Sequence, residues 1–267
     1  MSISIRNTMV EYTFDINTLE YFLLILVRIT SFAAVAPFFG ANEVTGRVKV
    51  GFSVFVAILL FYMVPMESVP YESEIGYAIL VLKEGITGLL IGFAASICNS
   101  IILYAGTIID MDIGLSMAMV FDPSTNSQIS ISGELYSRIL LLLLIVSNMH
   151  QYILRALIDS FSLFPLGGQV FQVDSLLESM IMFCGDLFVI AFRIVLPIFA
   201  CSMIMYTILG IMAKVAPQMN MFAVSIQLKL LVGLAIMLIT VFLLPDIANF
   251  IFKEMRVLIT SFVKGMY

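Results

Sequence analysis

Gly106–Pro123 reads GTIIDMDIGLSMAMVFDP, and its pattern departs from the hydrophobic runs on either side of it. Ile109, Met111, Ile113, Leu115, Met117 and Met119 alternate with Asp110, Asp112, Gly114, Ser116 and Ala118. A period of two belongs to an extended segment, whereas the flanking runs have the length of membrane helices. Lipid cannot satisfy the backbone groups of an open extended chain, so such a piece at membrane depth is buried in protein or lines a polar passage. The pattern predicts a Met-rich segment that either closes a pore or forms an ordinary surface loop. Met111, Met117 and Met119 are soft enough to close around a passage and yield to varied side chains. Gly114 supplies a point where the backbone bends at little steric cost. Asp110 and Asp112 are expected to keep one edge of the segment hydrated.

Working outward, composition sets the class. The 267 residues are 61% hydrophobic and only 12% charged, with a mean hydropathy of +1.11. These values predict an all-α integral membrane protein, here a single domain over 1–267. Six hydrophobic segments run Tyr21–Phe39, Val48–Val64, Ala78–Ala105, Leu135–Leu166, Met180–Ala213 and Met221–Leu244. Each approaches or exceeds the roughly 17–25 residues that cross a bilayer. Most prolines fall at segment ends, where a missing amide donor is tolerated; Pro197, in mid-segment, predicts a kink. The chain has no Trp, so an interfacial belt would use Tyr21, Tyr62, Tyr77, Tyr104 and Tyr136. Ala34-Val35-Ala36 mimics a signal-peptidase site. The leader lacks a positive n-region, however, and Arg28 interrupts the apolar run, so Tyr21–Phe39 reads as a retained helix.

Charge placement complicates six simple spans. Arg28, Lys83, Arg138, Arg155, Arg193 and Lys229 all lie inside hydrophobic segments, together with Glu84, Asp159 and Asp186. A charge at the bilayer centre costs about 2.5–3.5 kcal/mol on insertion scales, so these residues are expected to face protein, water or a partner. The remaining bases divide almost evenly between the two sides and choose no orientation. Some segments therefore read as helical hairpins packed against other subunits. Glu84, Gly88, Gly92, Ser96 and Ser100 recur every four residues and form one ridge of a helix. Small residues at that spacing admit close helix packing, with the partner in the same chain or another. Arg155 and Asp159 stand four apart, at a spacing that allows pairing on one helix face.

Catalytic and metal chemistry find no support. Cys98, Cys184 and Cys201 are isolated within apolar runs, which suits packing better than a disulfide or metal frame. The single His150 has no orienting acid and nucleophile beside it and reads as a polar residue within a helix bundle. No GxSxG, HExxH, P-loop or GxGxxG motif is present, so neither an enzyme nor a cofactor is expected. A net charge of −5 offers no basic patch for nucleic acid.

Four stretches resemble the FliR family of type III export-gate subunits. They are RITSFAAVAPFFG (Arg28–Gly40), IDMDIGLSMAMVFDP (Ile109–Pro123), HQYILRALIDSFSLFPLG (His150–Gly167), and APQMNMF (Ala216–Phe222) leading to LKLLVGL (Leu228–Leu234). Their order and spacing cover nearly the whole chain. Virulence-system relatives carry a more basic central motif resembling DNQRG, where this chain has Asp110-Met111-Asp112-Ile113-Gly114, so the flagellar branch is favoured. The resemblance implies assembly with FliP and FliQ into a closed helical spiral in the bacterial inner membrane, with FlhB and FlhA adjoining. Unfolded flagellar proteins would pass through its central pore, driven by a proton gradient and an ATPase elsewhere. It also implies a pore plug over Gly106–Phe121. A small-molecule transporter and a non-pore assembly scaffold are the readings from other classes.

Overall fold

A 40-residue helix, α3 (Glu74–Ile113), is the axis of the molecule. The computed structural model describes residues 16–37, 44–64, 71, 73–116, 130–218 and 220–267. Ahead of α3 come α1 (Ile16–Val35) and α2 (Gly46–Met63). After it come α4 (Ile131–Val146), α5 (Met149–Leu163) and the 43-residue α6 (Val173–Val215). Finally α7 (Met221–Thr240) passes through one 3-10 turn, Val241–Leu243, into α8 (Leu244–Lys264). No strand occurs among the described residues. Five helices are long and apolar enough to cross a membrane, or six if the bent α4–α5 pair counts as one span. The protein is therefore an all-α membrane protein, as its composition requires.

α3 packs against α1, α4, α5, α6, α7 and α8, while α2 leans on α1. Polar residues define the ends. Ser73 caps α3 by accepting from the Gly76 amide, and Ser130 caps α4 by accepting from the Gly133 amide. Buried core residues Tyr21, Ile25, Ile29 and Phe32 of α1 lie three or four apart, the spacing of one helical face.

Three sequence expectations change here. Leu135–Leu166 is not one helix: Asn148, at φ 58°, turns the chain, and α4 and α5 meet at 69°. Asn tolerates the left-handed conformation better than most residues, which marks it as the breaking point. α8 lies beyond the six hydrophobic segments, because its apolar residues occupy one side only. Ala248, Ile251, Phe252, Met255, Leu258, Ile259 and Phe262 are buried at helical spacing, with Lys253, Arg256 and Lys264 between and beyond them. Tyr21 and Tyr136 are not interfacial anchors within this chain, since both are buried, and the Tyr136 hydroxyl lies 2.8 Å from Thr240 Oγ1. α6 runs on through Pro197, whose nitrogen has no proton to donate to the Arg193 carbonyl.

Candidate functional site

The period-two reading of the central stretch fails over its first half. Residues 106–113 are the last two turns of α3, and their buried side chains follow a helical spacing: Ile102, Ala105, Ile109 and Ile113 face the core. The alternation does not match this face: Asp110 is buried beside Ile109, while Met111 is 67% exposed. Gly106 is a packing glycine. A Cβ built there would overlap the Gly133 backbone, so α3 and α4 cross glycine against glycine. Gly114 does bend the chain: it ends α3 at φ 87° with nothing near its absent Cβ. Leu115 comes next, partly buried against the core. Met117, Met119 and Phe121 lie outside the described residues.

The two aspartates of this stretch separate in role. Asp110 is 3% exposed, so it does not form a hydrated edge. Its carboxylate accepts from Ser130 Oγ at 2.7 Å, from the Ser132 amide at 3.2 Å, and from Ser132 Oγ. An anion at the first turn of α4 meets unsatisfied amides and the positive end of the helix dipole. Asp112 is half-buried. Its backbone carbonyl and Oδ1 lie 3.1 and 3.3 Å from the Tyr206 hydroxyl, while its Oδ2 is buried with no hydrogen-bond partner among the described residues. The ammonium of Lys229 lies 4.0 Å from the centroid of the same tyrosine ring. Two residues singled out in the sequence, Asp112 and Lys229, are thus joined by one that was not. Its signal was available: Tyr206 lies deep within a hydrophobic segment, where a phenol needs a hydrogen-bond partner.

A second polar cluster ties α1, α3 and α5 together. Arg28 and Glu84 are both fully buried, with Arg28 Nε 2.5 Å from Glu84 Oε2. Arg28 Nη1 donates to Ser160 Oγ at 3.2 Å, and its guanidinium stands 4.1 Å from the centre of the Phe161 ring and 5.2 Å from that of Phe164. Glu84 Oε1 accepts from the Gly167 amide at 2.9 Å and from Gln169 Nε2 at 2.7 Å. The ridge that begins at Glu84 packs within this chain. A Cβ at Gly88 would overlap the Arg28 carbonyl and Ser31 Oγ, and one at Gly92 would come within 2.9 Å of the Phe32 carbonyl. Further along the ridge, Ser96 bonds back to the Phe93 carbonyl of its own helix, and Ser100 is half-buried. The glycines are there because the helix bearing Arg28 must come close enough to reach Glu84.

The other charged residues expected to face protein are placed differently in the single chain. Arg155, Asp159 and Arg193 are exposed; His150, Asp186 and Lys229 are half-buried. Arg155 and Asp159 share a helix, but no ion pair among the described residues joins them. Arg193 stands 5.6 Å from the centre of the Phe250 ring. His150 Nδ1 is buried and has no hydrogen-bond partner among the described residues. Cys184 is exposed and Cys201 half-buried, both as free thiols. Among the described residues no group of acids, histidines and cysteines is placed to hold a metal ion.

Residues 19–255 match the family described as bacterial export proteins, family 1. The chain belongs to that family. It is 30% identical over 224 residues to the flagellar biosynthetic protein FliR of Bacillus subtilis, covering 82% of this chain and 85% of that one. The FliR proteins of Pectobacterium carotovorum and Escherichia coli K12 are 26% and 24% identical to it. Those alignments cover 90% of this chain and 91% and 92% of theirs. The match spans α1 to the middle of α8, so it takes in both polar clusters and the end of α3.

Proposed function

We propose that this protein is a FliR-type subunit of the flagellar type III export gate in the bacterial inner membrane. In this reading it assembles with FliP and FliQ beside FlhB and FlhA and helps to form the pore that unfolded flagellar proteins cross. Membership of the export family, with FliR relatives along nearly the whole chain, supports a component of the flagellar export apparatus. The observation that carries the assembly is the length of exposed apolar surface on α6. Large apolar side chains stand exposed from Leu177 to Val215, including Phe188, Phe192, Leu196 and Ile208. At 1.5 Å per residue that stretch is about 57 Å long, against a hydrocarbon core of about 30 Å. Even a tilt of about 40° would not hold it in lipid, so the surplus needs cover from protein. Mid-segment Arg193, exposed on the same helix, needs a non-lipid neighbour for the same reason.

The plug is assigned to the part of the central stretch beyond Gly114, with α3, Asp110 and Tyr206 as its mount. Affinity purification of the full chain from native membranes, with mass spectrometry of the co-purifying subunits, is the direct test. Recovery of FliP and FliQ is expected. A chain that purifies alone from cells making the full apparatus would overturn the assembly.

A further inference from the structure

We infer that Tyr206 and Lys229 are positioning residues that hold the C-terminal end of α3, Tyr206 as a side-chain cap and Lys229 as the charge that offsets Asp112. The last carbonyls of a helix have no amide partners of their own and carry the negative end of its dipole. Asp112, one residue before the end of α3, adds a carboxylate where the dipole already disfavours one. The Tyr206 hydroxyl, reaching across from α6, serves both acceptors with its one proton, lying 3.1 Å from the Asp112 carbonyl and 3.3 Å from Oδ1 of the same residue. Among the described residues nothing donates to Oδ2, which is buried, and a carboxylate oxygen left so is costly unless a cation is close.

Lys229 brings a positive charge to the same ring. It sits in the middle of α7, where lipid would penalise its charge, and its ammonium rests on the face of the ring whose hydroxyl holds Asp112. One helical turn further along α7, Gly233 leaves no room for a Cβ because Ile113 fills that space. Lys229 and Gly233 thus set one ridge of α7 against the last turn of α3, just before Gly114 turns the chain. The ring joins three helices: α6 supplies it, α7 places a charge on its face, and α3 ends on its hydroxyl. This inference stands whether or not the stretch beyond Gly114 closes a pore.

The test is a charge cycle in the full chain, expressed in cells that build the complete apparatus. Asp112→Asn, Lys229→Met and the double variant are compared for yield of assembled complex and for export. Each single change is expected to lower both. The double change should restore them to within about twofold of wild type, giving a non-multiplicative coupling of at least about threefold. A double variant no better than the product of the singles would overturn the charge pairing. Tyr206→Phe keeps the ring under Lys229 and removes only the cap. Paired with Ser116→Cys, with the three native cysteines replaced by Ala, it should raise labelling by a water-soluble maleimide at unchanged complex yield. Labelling at the rate seen with Tyr206 intact would overturn the capping role.

Discussion

Arg28 and Glu84 show how much one buried pair can demand of its surroundings. Removing one partner strands a charge at zero exposure, so Arg28→Met should destabilise the protein by about 3–5 kcal/mol. Adding Glu84→Gln removes the stranded charge and keeps a carbonyl oxygen for the Gly167 amide and Gln169. The double variant should therefore recover most of the loss, which thermal unfolding of the assembled complex in detergent would measure. Equal instability of the single and double variants would contradict the pairing. Gly88 belongs to the same contact. Gly88→Ala places a methyl group against the Arg28 carbonyl and should cost about 1–3 kcal/mol by overpacking, whereas Gly51→Ala, in open space, should be neutral or slightly stabilising. Equal melting temperatures for these two alanine variants would rule out a close α1–α3 crossing.

Between elements, the joints are specific and were the hardest part to read. Asn148 holds a left-handed backbone conformation at the α4–α5 bend, beside Met149, whose sulfur accepts from Arg256 of α8 at 3.1 Å. Asn148→Gly should be tolerated, while Asn148→Val should cost more than about 1 kcal/mol, because a β-branched residue clashes at positive φ. Proteolytic sensitivity at 146–150 gives the readout: faster cleavage in the Val variant alone is expected, and equal cleavage in both would mean the bend is not set by that backbone. At the α3–α4 joint, Asp110→Ala would strip the acceptor from Ser130, from Ser132 and from the Ser132 amide. The loss of a charged cap should cost about 1–3 kcal/mol, and Asp110→Asn, which keeps one oxygen, should cost less. If Asn and Ala prove equally damaging in the same unfolding assay, the carboxylate is not acting as a cap.

At the scale of the molecule, helix α3 carries the central stretch as far as Gly114, and the pore reading belongs to the residues beyond that glycine. Deletion within 115–121 should leave the complex assembled but leaky to small ions. Gly114→Val, forced toward a φ of 87°, should instead hinder movement of the segment and reduce export. Ion conductance of cells carrying the shortened segment, with the complex shown to be present, checks the first expectation. Conductance equal to wild type would remove the plug and return the segment to a surface loop. The exposed apolar length of α6 makes a related demand: the isolated chain should aggregate in detergent unless partner subunits cover it.

The sequence by itself determined the membrane class, the helical architecture and the export family, because these rest on run lengths, composition and motifs spread along the chain. It also marked Arg28, Glu84, Gly88 and Gly92, since charges and small residues at regular spacing in apolar helices are costly or unusual without a neighbour. It did not pair Arg28 with Glu84, which stand 56 residues apart and meet only when α1 lies in the groove that Gly88 and Gly92 open. The same limit misplaced residues 109–113. A window of five residues fits a period of two or of 3.6 almost equally well, and only the packing of Ile109 and Ile113 on neighbouring helices decides between them. Tyr206 stood out in the sequence only as a phenol inside a hydrophobic segment; its partners, which come from two other helices, are fixed only in three dimensions. Local pattern states what a segment can become; the contacts that select among those states are made by residues far away along the chain.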